Sequence, residues 1–282
     1  MITVLGLTTC LLYMFFTRAV TVTTEDIKFS KADPLNGKYV FLASGCSSCH
    51  IAQGSTDEYS LAGGQVFKTA FGSFVVPNVS NSVKAGIGGW KFNDFYTALK
   101  FGQSPDGQHY FPAFPYTAYS QMADQDVADL WAFWKTLPSV ETQTEKHQLD
   151  FPFNIRRNVG LWKILYLDNG YYSSKNDRAT YLVEALAHCA ECHTSRDVFG
   201  GLQTSKWFRG AKNPSGTGRV PSIHPQDLMW SKDEIVEYLL SGFTPDYDVA
   251  GGSMALVVKN TARLTKSDRD LIADYLLNLP PS

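Results

Sequence analysis

Two short strings in this 282-residue chain hold residue types suited to thiol and metal chemistry: Cys46-Ser-Ser-Cys49-His50 and Cys189-Ala-Glu-Cys192-His193. The spacing fits one cofactor. Thiols two residues apart can add to the two vinyl groups along one porphyrin edge. The next residue, a histidine, then lies under the ring with its imidazole at the iron. A lone Cys-x-x-Cys could also be a dithiol redox pair or half a zinc site. Two pentads in matching surroundings favour covalent haem c, one per pentad, with His50 and His193 as iron ligands.

The remaining composition narrows the field. There are five cysteines; the pentads use four and leave Cys10 in an apolar stretch, so no pair remains for a structural disulfide. Net charge is −2, which gives no electrostatic footprint for nucleic acid. Residues 33–150 carry seven Lys/Arg against eleven Asp/Glu, and residues 151–282 carry fifteen against fourteen. A basic partner docking on the first half is compatible with that mild asymmetry. The sequence has no Gly-rich phosphate loop, no hydrolase serine motif and no further metal cluster.

The elements that must position the pentads repeat along the chain, at close to the separation between Cys46 and Cys189. GKYVFLASGCSSCH matches ATYLVEALAHCAECH, and glycine pairs follow at Gly63-Gly64 and Gly200-Gly201. Pro77-Asn78-Val79-Ser80 matches Pro221-Ser222-Ile223-His224, with Trp90 and Trp230 after them. Each unit closes with an amphipathic helix. Val127, Leu130, Trp131 and Trp134 share one face, as do Ile272, Tyr275, Leu276 and Leu279. Asp124 and Thr265 with Asp268 supply N-cap chemistry, and Pro138 and Pro280 mark the stops. Tyr39, Phe41, Tyr181 and Leu182, before the pentads, read as core. Residues 54–90 and 200–230 are rich in Gly, Ser and Pro and are expected to be loops around the haem edges rather than strands. Residues 139–164 are polar and then proline-containing, as in a linker.

Residues 2–16, ITVLGLTTCLLYMFF, are uncharged and largely apolar. No basic residue precedes them and no small-x-small cleavage site follows, so a retained membrane anchor is expected, with a cleaved signal peptide as the alternative. Cys10 does not lie in a good lipoprotein box.

Each half resembles a class I cytochrome c domain. The pair resembles the cytochrome subunits of bacterial periplasmic alcohol, aldehyde and gluconate-type dehydrogenases. GGQVFKTAFGSFVVPNVS, HYFPAFPYTAY and LWAFWKTLP carry the resemblance in the first half; HCAECHTSRDVFGGL, GGSMALVV and ADYLLNLP carry it in the second. It implies a mainly α fold of two tandem class I cytochrome c domains with long haem-wrapping loops, preceded by an N-terminal apolar helix. The expected divisions are an anchor or signal segment at 1–24, domain 1 at 33–140, a linker at 141–172 and domain 2 at 173–282. The resemblance also implies maturation outside the cytoplasm. The expected location is thus the periplasm, held at the inner membrane by the N-terminal segment.

The sixth iron ligands are expected to differ. By resemblance, Met254 on the distal loop ligates the second haem. The corresponding slot in the first half is Phe114, which cannot bind iron. His109, five residues upstream, is the preferred substitute, with Met122 and an open site as alternatives. A bis-His first haem would sit at lower potential than a His/Met second haem. His147 is expected to be solvated, His188 to be at most an outer partner, and His224 to lie in a haem-edge loop. The function expected is a dihaem electron carrier in a respiratory chain, linking a dehydrogenase to an acceptor, rather than an enzyme by itself. The alternative is a catalytic dihaem oxidoreductase, peroxidase- or thiosulfate dehydrogenase-like, working at an open first haem.

Overall fold

The chain was analysed as a computed structural model, which describes residues 2–20, 22–167, 170–213 and 218–281. The first helix, α1 (Ile2–Phe16), has 15 residues. At 1.5 Å per residue it measures about 22 Å, short of the ~30 Å hydrocarbon layer. Among the described residues no helix is long and apolar enough to cross a membrane. The expected fold is corrected here: the N-terminal apolar segment does not form a helix long enough to cross a membrane. The end of this segment is instead fastened to the rest of the chain. Tyr13 donates to Asn158 Oδ1 at 2.9 Å, Arg157 donates to Met14 O at 3.0 Å, and the Val20 N–H donates to Gln103 Oε1 at 3.0 Å.

The first unit begins where Asp33, extended, caps α2 (Pro34–Ala43) by accepting the Leu35 N–H at 2.8 Å, with Pro34 at the first helical position. Gly45 turns the chain with φ +59° into α3 (Cys46–His50), the first pentad. The stretch expected to be all loop holds a hairpin, β1 (Val66–Thr69) and β2 (Gly72–Val75), with Val66 opposite Val75. Its alternating Val, Phe and Thr suit a strand, but four residues are too few to stand out in a Gly- and Ser-rich region. Then come α4 (Phe92–Phe101), α5 (Tyr116–Tyr119) and α6 (Asp124–Trp134). α6 buries Val127, Leu130 and Trp134 and crosses α2 at Gly37, where a Cβ would sit 1.9 Å from Asp129 O. Ala123, not Asp124, holds the N-cap position of α6. The Asp124 carboxylate accepts instead from the Tyr96 hydroxyl at 2.8 Å.

The segment expected to be a plain linker also has structure. β3 (Gln148–Leu149) adds to the hairpin, Leu149 opposite Gly72, and α7 (Val159–Tyr166) follows. In the second unit α8 (Arg178–Thr180) runs into a π-helical stretch, Tyr181–Leu186. Next come α9 (Ala190–His193), the short hairpin of β4 (Ala211–Lys212) and β5 (Arg219–Val220), and α10 (Pro225–Leu228). α11 (Lys232–Ser241) starts at a Ser231–Glu234 capping box. α12 (Gly252–Thr261) leads to α13 (Lys266–Leu277), whose cap Thr265 accepts the Asp268 N–H at 3.1 Å.

One apolar cluster runs through both units, joining Phe41, Leu130 and Trp134 to Leu182, Leu186 and Ile272. The contact between units is reciprocal. Tyr39 of α2 bonds to Asp268 of α13. Tyr181, the counterpart of Tyr39 in the second unit, bonds to Asp126, the counterpart of Asp268 in the first. The halves therefore meet about a pseudo-twofold axis.

Candidate functional site

The two pentads are held in the same way. The His50 Nδ1–H donates to Pro77 O at 3.0 Å, and the His193 Nδ1–H donates to Pro221 O at 2.9 Å. A carbonyl can only accept, so the proton is on Nδ1 and the Nε2 lone pair is left for a metal. Burial lowers both imidazole pKa values, the carbonyl bond opposing it, and favours the neutral, ligating form. One glycine per unit ties these pieces together. The Gly63 N–H donates to His50 O at 2.9 Å and the Gly210 N–H to His193 O at 2.7 Å. Both have positive φ, +65° and +78°. A Cβ would lie 2.4 Å from Val76 O at the first and 2.7 Å from Val220 O at the second. Gly210 is thus the structural counterpart of Gly63. The pair Gly200-Gly201, matched to Gly63-Gly64 from sequence, serves elsewhere: a Cβ on Gly201 would strike the Tyr166 ring at 2.0 Å.

The surroundings of the thiols and the number of donors bear on the choice of cofactor. Burial pushes Cys46 and Cys189 up to about 12. Burial, with the charge of Cys192 added, pushes Cys49 up to about 11. A reactive dithiol needs the opposite shift, toward a thiolate at neutral pH. A zinc site needs more donors, and among the described residues no group of three or more His, Cys, Asp or Glu could hold a metal ion. Two protonated thiols beside one neutral imidazole with a free Nε2 fit a covalently attached haem at each pentad.

The distal loops correspond position by position. Gln103 bridges His109 as Phe243 bridges Val249. The Tyr110 N–H donates to Gly102 O at 2.6 Å as the Ala250 N–H donates to Gly242 O at 2.8 Å. At the same offset Phe114 falls at Met254. Both are half-buried and pack against the main core. Met254 lies in the first turn of α12, not in the preceding loop. His109 occupies the place of Val249. Its Nε2–H donates to Thr17 O at 2.9 Å, and its Nδ1 accepts from the Lys163 ammonium at 3.1 Å. Both ring nitrogens are thus engaged in hydrogen bonds. Met122 is 1% exposed and precedes α6 as Leu264 precedes α13.

The other histidines have local duties. His147 is not simply solvated: its Nδ1 accepts the Val75 N–H at 3.1 Å and its ring meets Phe74 and Phe111 edge-on. His188 Nδ1 donates to Leu186 O at 2.9 Å, and its ring lies 5.4 Å from that of Tyr119. His224 caps α10 by accepting the Gln226 N–H at 3.3 Å.

A family model for cytochrome c matches residues 35–138. A diheme cytochrome c-type protein of Cereibacter sphaeroides is 46% identical over 274 residues, covering 95% of this chain and 93% of the relative. The chain belongs to the c-type cytochromes. This cytochrome is also 34% identical to a nicotinate dehydrogenase subunit of Pseudomonas putida and 33% identical to a fructose dehydrogenase cytochrome subunit of Gluconobacter japonicus. Each match covers 86% of the cytochrome, but 21% of the first relative and 52% of the second. The family supplies covalently bound haem c and an electron-transfer role.

The cytochrome also joins each pentad to the distal helices of the opposite unit. Asn260 of α12 donates to Ser48 Oγ, inside the first pentad, at 2.8 Å. Thr117 of α5 donates to Glu191 Oε1, inside the second, at 3.0 Å. Arg263 and Lys259 pair with Glu58, at 2.5 and 3.7 Å.

Proposed function

We propose that this cytochrome holds two haems c, one at each pentad, and relays single electrons between a dehydrogenase and an acceptor on the periplasmic side. The observation that carries the reading is the matched pair of histidines, each fixed by a proline carbonyl, with pentads hydrogen-bonded across one interface. When bound, each haem supplies a one-electron ferric/ferrous couple. His50 and His193 would ligate the irons through Nε2. The Pro77 and Pro221 carbonyls fix ring orientation and raise imidazole basicity. Met254 is the sixth ligand proposed for the second haem. Asn260, Thr117, Arg263 and Glu58 set the distance and orientation between pentads and so hold the transfer path fixed.

The relatives named as dehydrogenase subunits support a dehydrogenase as donor, and haem c maturation supports the periplasm. Pyridine haemochrome analysis of acid-washed protein tests the cofactor: about two haems c per chain are expected, and one or none refutes the reading. Co-purification from native extracts, with subunit identification, tests the donor. Phe114 in the place of a sulfur ligand favours a second reading, a dihaem oxidoreductase of peroxidase or thiosulfate dehydrogenase type. Turnover of peroxide or thiosulfate by the purified chain would select it.

A further inference from the structure

The distal loops of the two units share bridges, turns and hydrogen bonds at a constant offset, yet differ where it matters for iron. The second unit has the thioether of Met254; the first has the phenyl ring of Phe114, which offers no lone pair. The two donors named from the sequence do not replace it. His109 stands at the place of Val249, and both its nitrogens are in hydrogen bonds to Thr17 O and Lys163 Nζ. Met122 is sunk in the core two residues before α6, where Leu264 stands before α13. The Lys100 ammonium bonds to Met122 O at 2.5 Å. The Tyr119 hydroxyl donates to Ser44 O at 3.2 Å. Phe114 itself is embedded among aromatic rings, 6.0 Å from Tyr110 and 5.8 Å from Tyr119 between centroids.

We infer that the first haem takes no sixth ligand from the protein and that Phe114 walls a site where a small exogenous ligand binds the iron: a neutral diatomic in the ferrous state, a small anion in the ferric. The inference rests on the proposed haem at Cys46–His50. Binding is simple coordination, with no net electron or proton transfer.

The test uses the full-length holoprotein, with haem content measured first. Carbon monoxide is added to the reduced protein and cyanide to the oxidised protein, and each is followed by optical difference spectra. Half of the haem is expected to respond and to be high-spin before addition. Phe114→Met is expected to abolish both responses and to double the near-infrared sulfur-to-iron band per chain. His109→Val and Met122→Leu are expected to leave ligand binding as in the parent. A parent with two haems, both low-spin and unresponsive, overturns the inference while leaving the two-haem reading intact. Ligand binding that is gained only in His109→Val or Met122→Leu identifies that residue as the ligand and also overturns it. A chain with fewer than two haems fails at the earlier step. Should Phe114→Met not fold, the parent and the other two variants still decide.

Discussion

Tyr181 donates its hydroxyl proton to the Asp126 carboxylate at 2.5 Å across the boundary between the two units. The same hydroxyl accepts the Ala123 N–H at 3.2 Å. Tyr39 does the same in reverse, bonding to Asp268 and accepting the Thr265 N–H at 3.3 Å. Each tyrosine thus satisfies the start of the other unit's closing helix, and the halves are latched twice by equivalent groups.

Breaking one latch should be measurable. Tyr181→Phe removes a hydrogen bond to a charged acceptor, leaving Asp126 with Asn36 at 2.8 Å. A loss of about 1.5–3 kcal/mol is expected from denaturant unfolding. Tyr39→Phe should cost a similar amount, and the double variant about the sum of the two.

Met254→Ala should abolish the near-infrared sulfur-to-iron band of the oxidised protein and lower the potential of the second haem, because a thioether ligand raises it. A redox titration with near-infrared spectra checks both. An unchanged band would show that another sulfur, not Met254, binds that iron.

Gly210→Ala places a methyl group at φ +78° and 2.7 Å from Val220 O. The left-handed backbone alone costs about 1–2 kcal/mol, and the overlap pushes the Pro221 carbonyl away from His193. A lower melting temperature is expected. A higher potential for the second haem should accompany it, since the imidazole loses the bond that makes it a stronger donor. Gly201→Ala, whose neighbour is the Tyr166 ring, should leave that potential unchanged.

Lys163 carries a pH signature. Burial lowers its pKa from 10.5 to about 7, although its ammonium donates to Gly102 O at 2.8 Å and lies 4.7 Å from the centre of the Tyr116 ring. Between these two values the unfolded chain binds more protons than the folded one. Stability should therefore rise with pH across that window, by up to about 2–3 kcal/mol between pH 7 and 9. Lys163→Met should flatten the rise. Denaturant midpoints at four pH values check this.

The pentads were legible because five consecutive residues define their chemistry, and the helices around Val127–Trp134 and Ile272–Leu276 because their period is plain. The strands at Val66–Val75 and Ala211–Val220 were hidden by their brevity. The hydrogen bonds of His109 had no local sequence signal because its partners, Thr17 and Lys163, lie 92 and 54 residues away. Gly210 was missed because the stretch that separates it from Gly200 breaks the register of the repeat. Its role is visible only where a backbone N–H meets His193 O. The docking of Tyr13 on Asn158, which spans 145 residues, likewise has no local sequence signal.

The pseudo-twofold contact has a consequence for how the two haem sites could come to differ. In a homodimer of identical chains, any substitution appears in both copies, so a Phe at this distal position would appear at both pentads at once. Here the two copies are segments of one polypeptide, and Tyr39, Asp126, Tyr181 and Asp268 preserve a homodimer-like contact. Covalent fusion thus lets Phe114 and Met254 stand at equivalent places in the two units, with no change to the interface that holds them together.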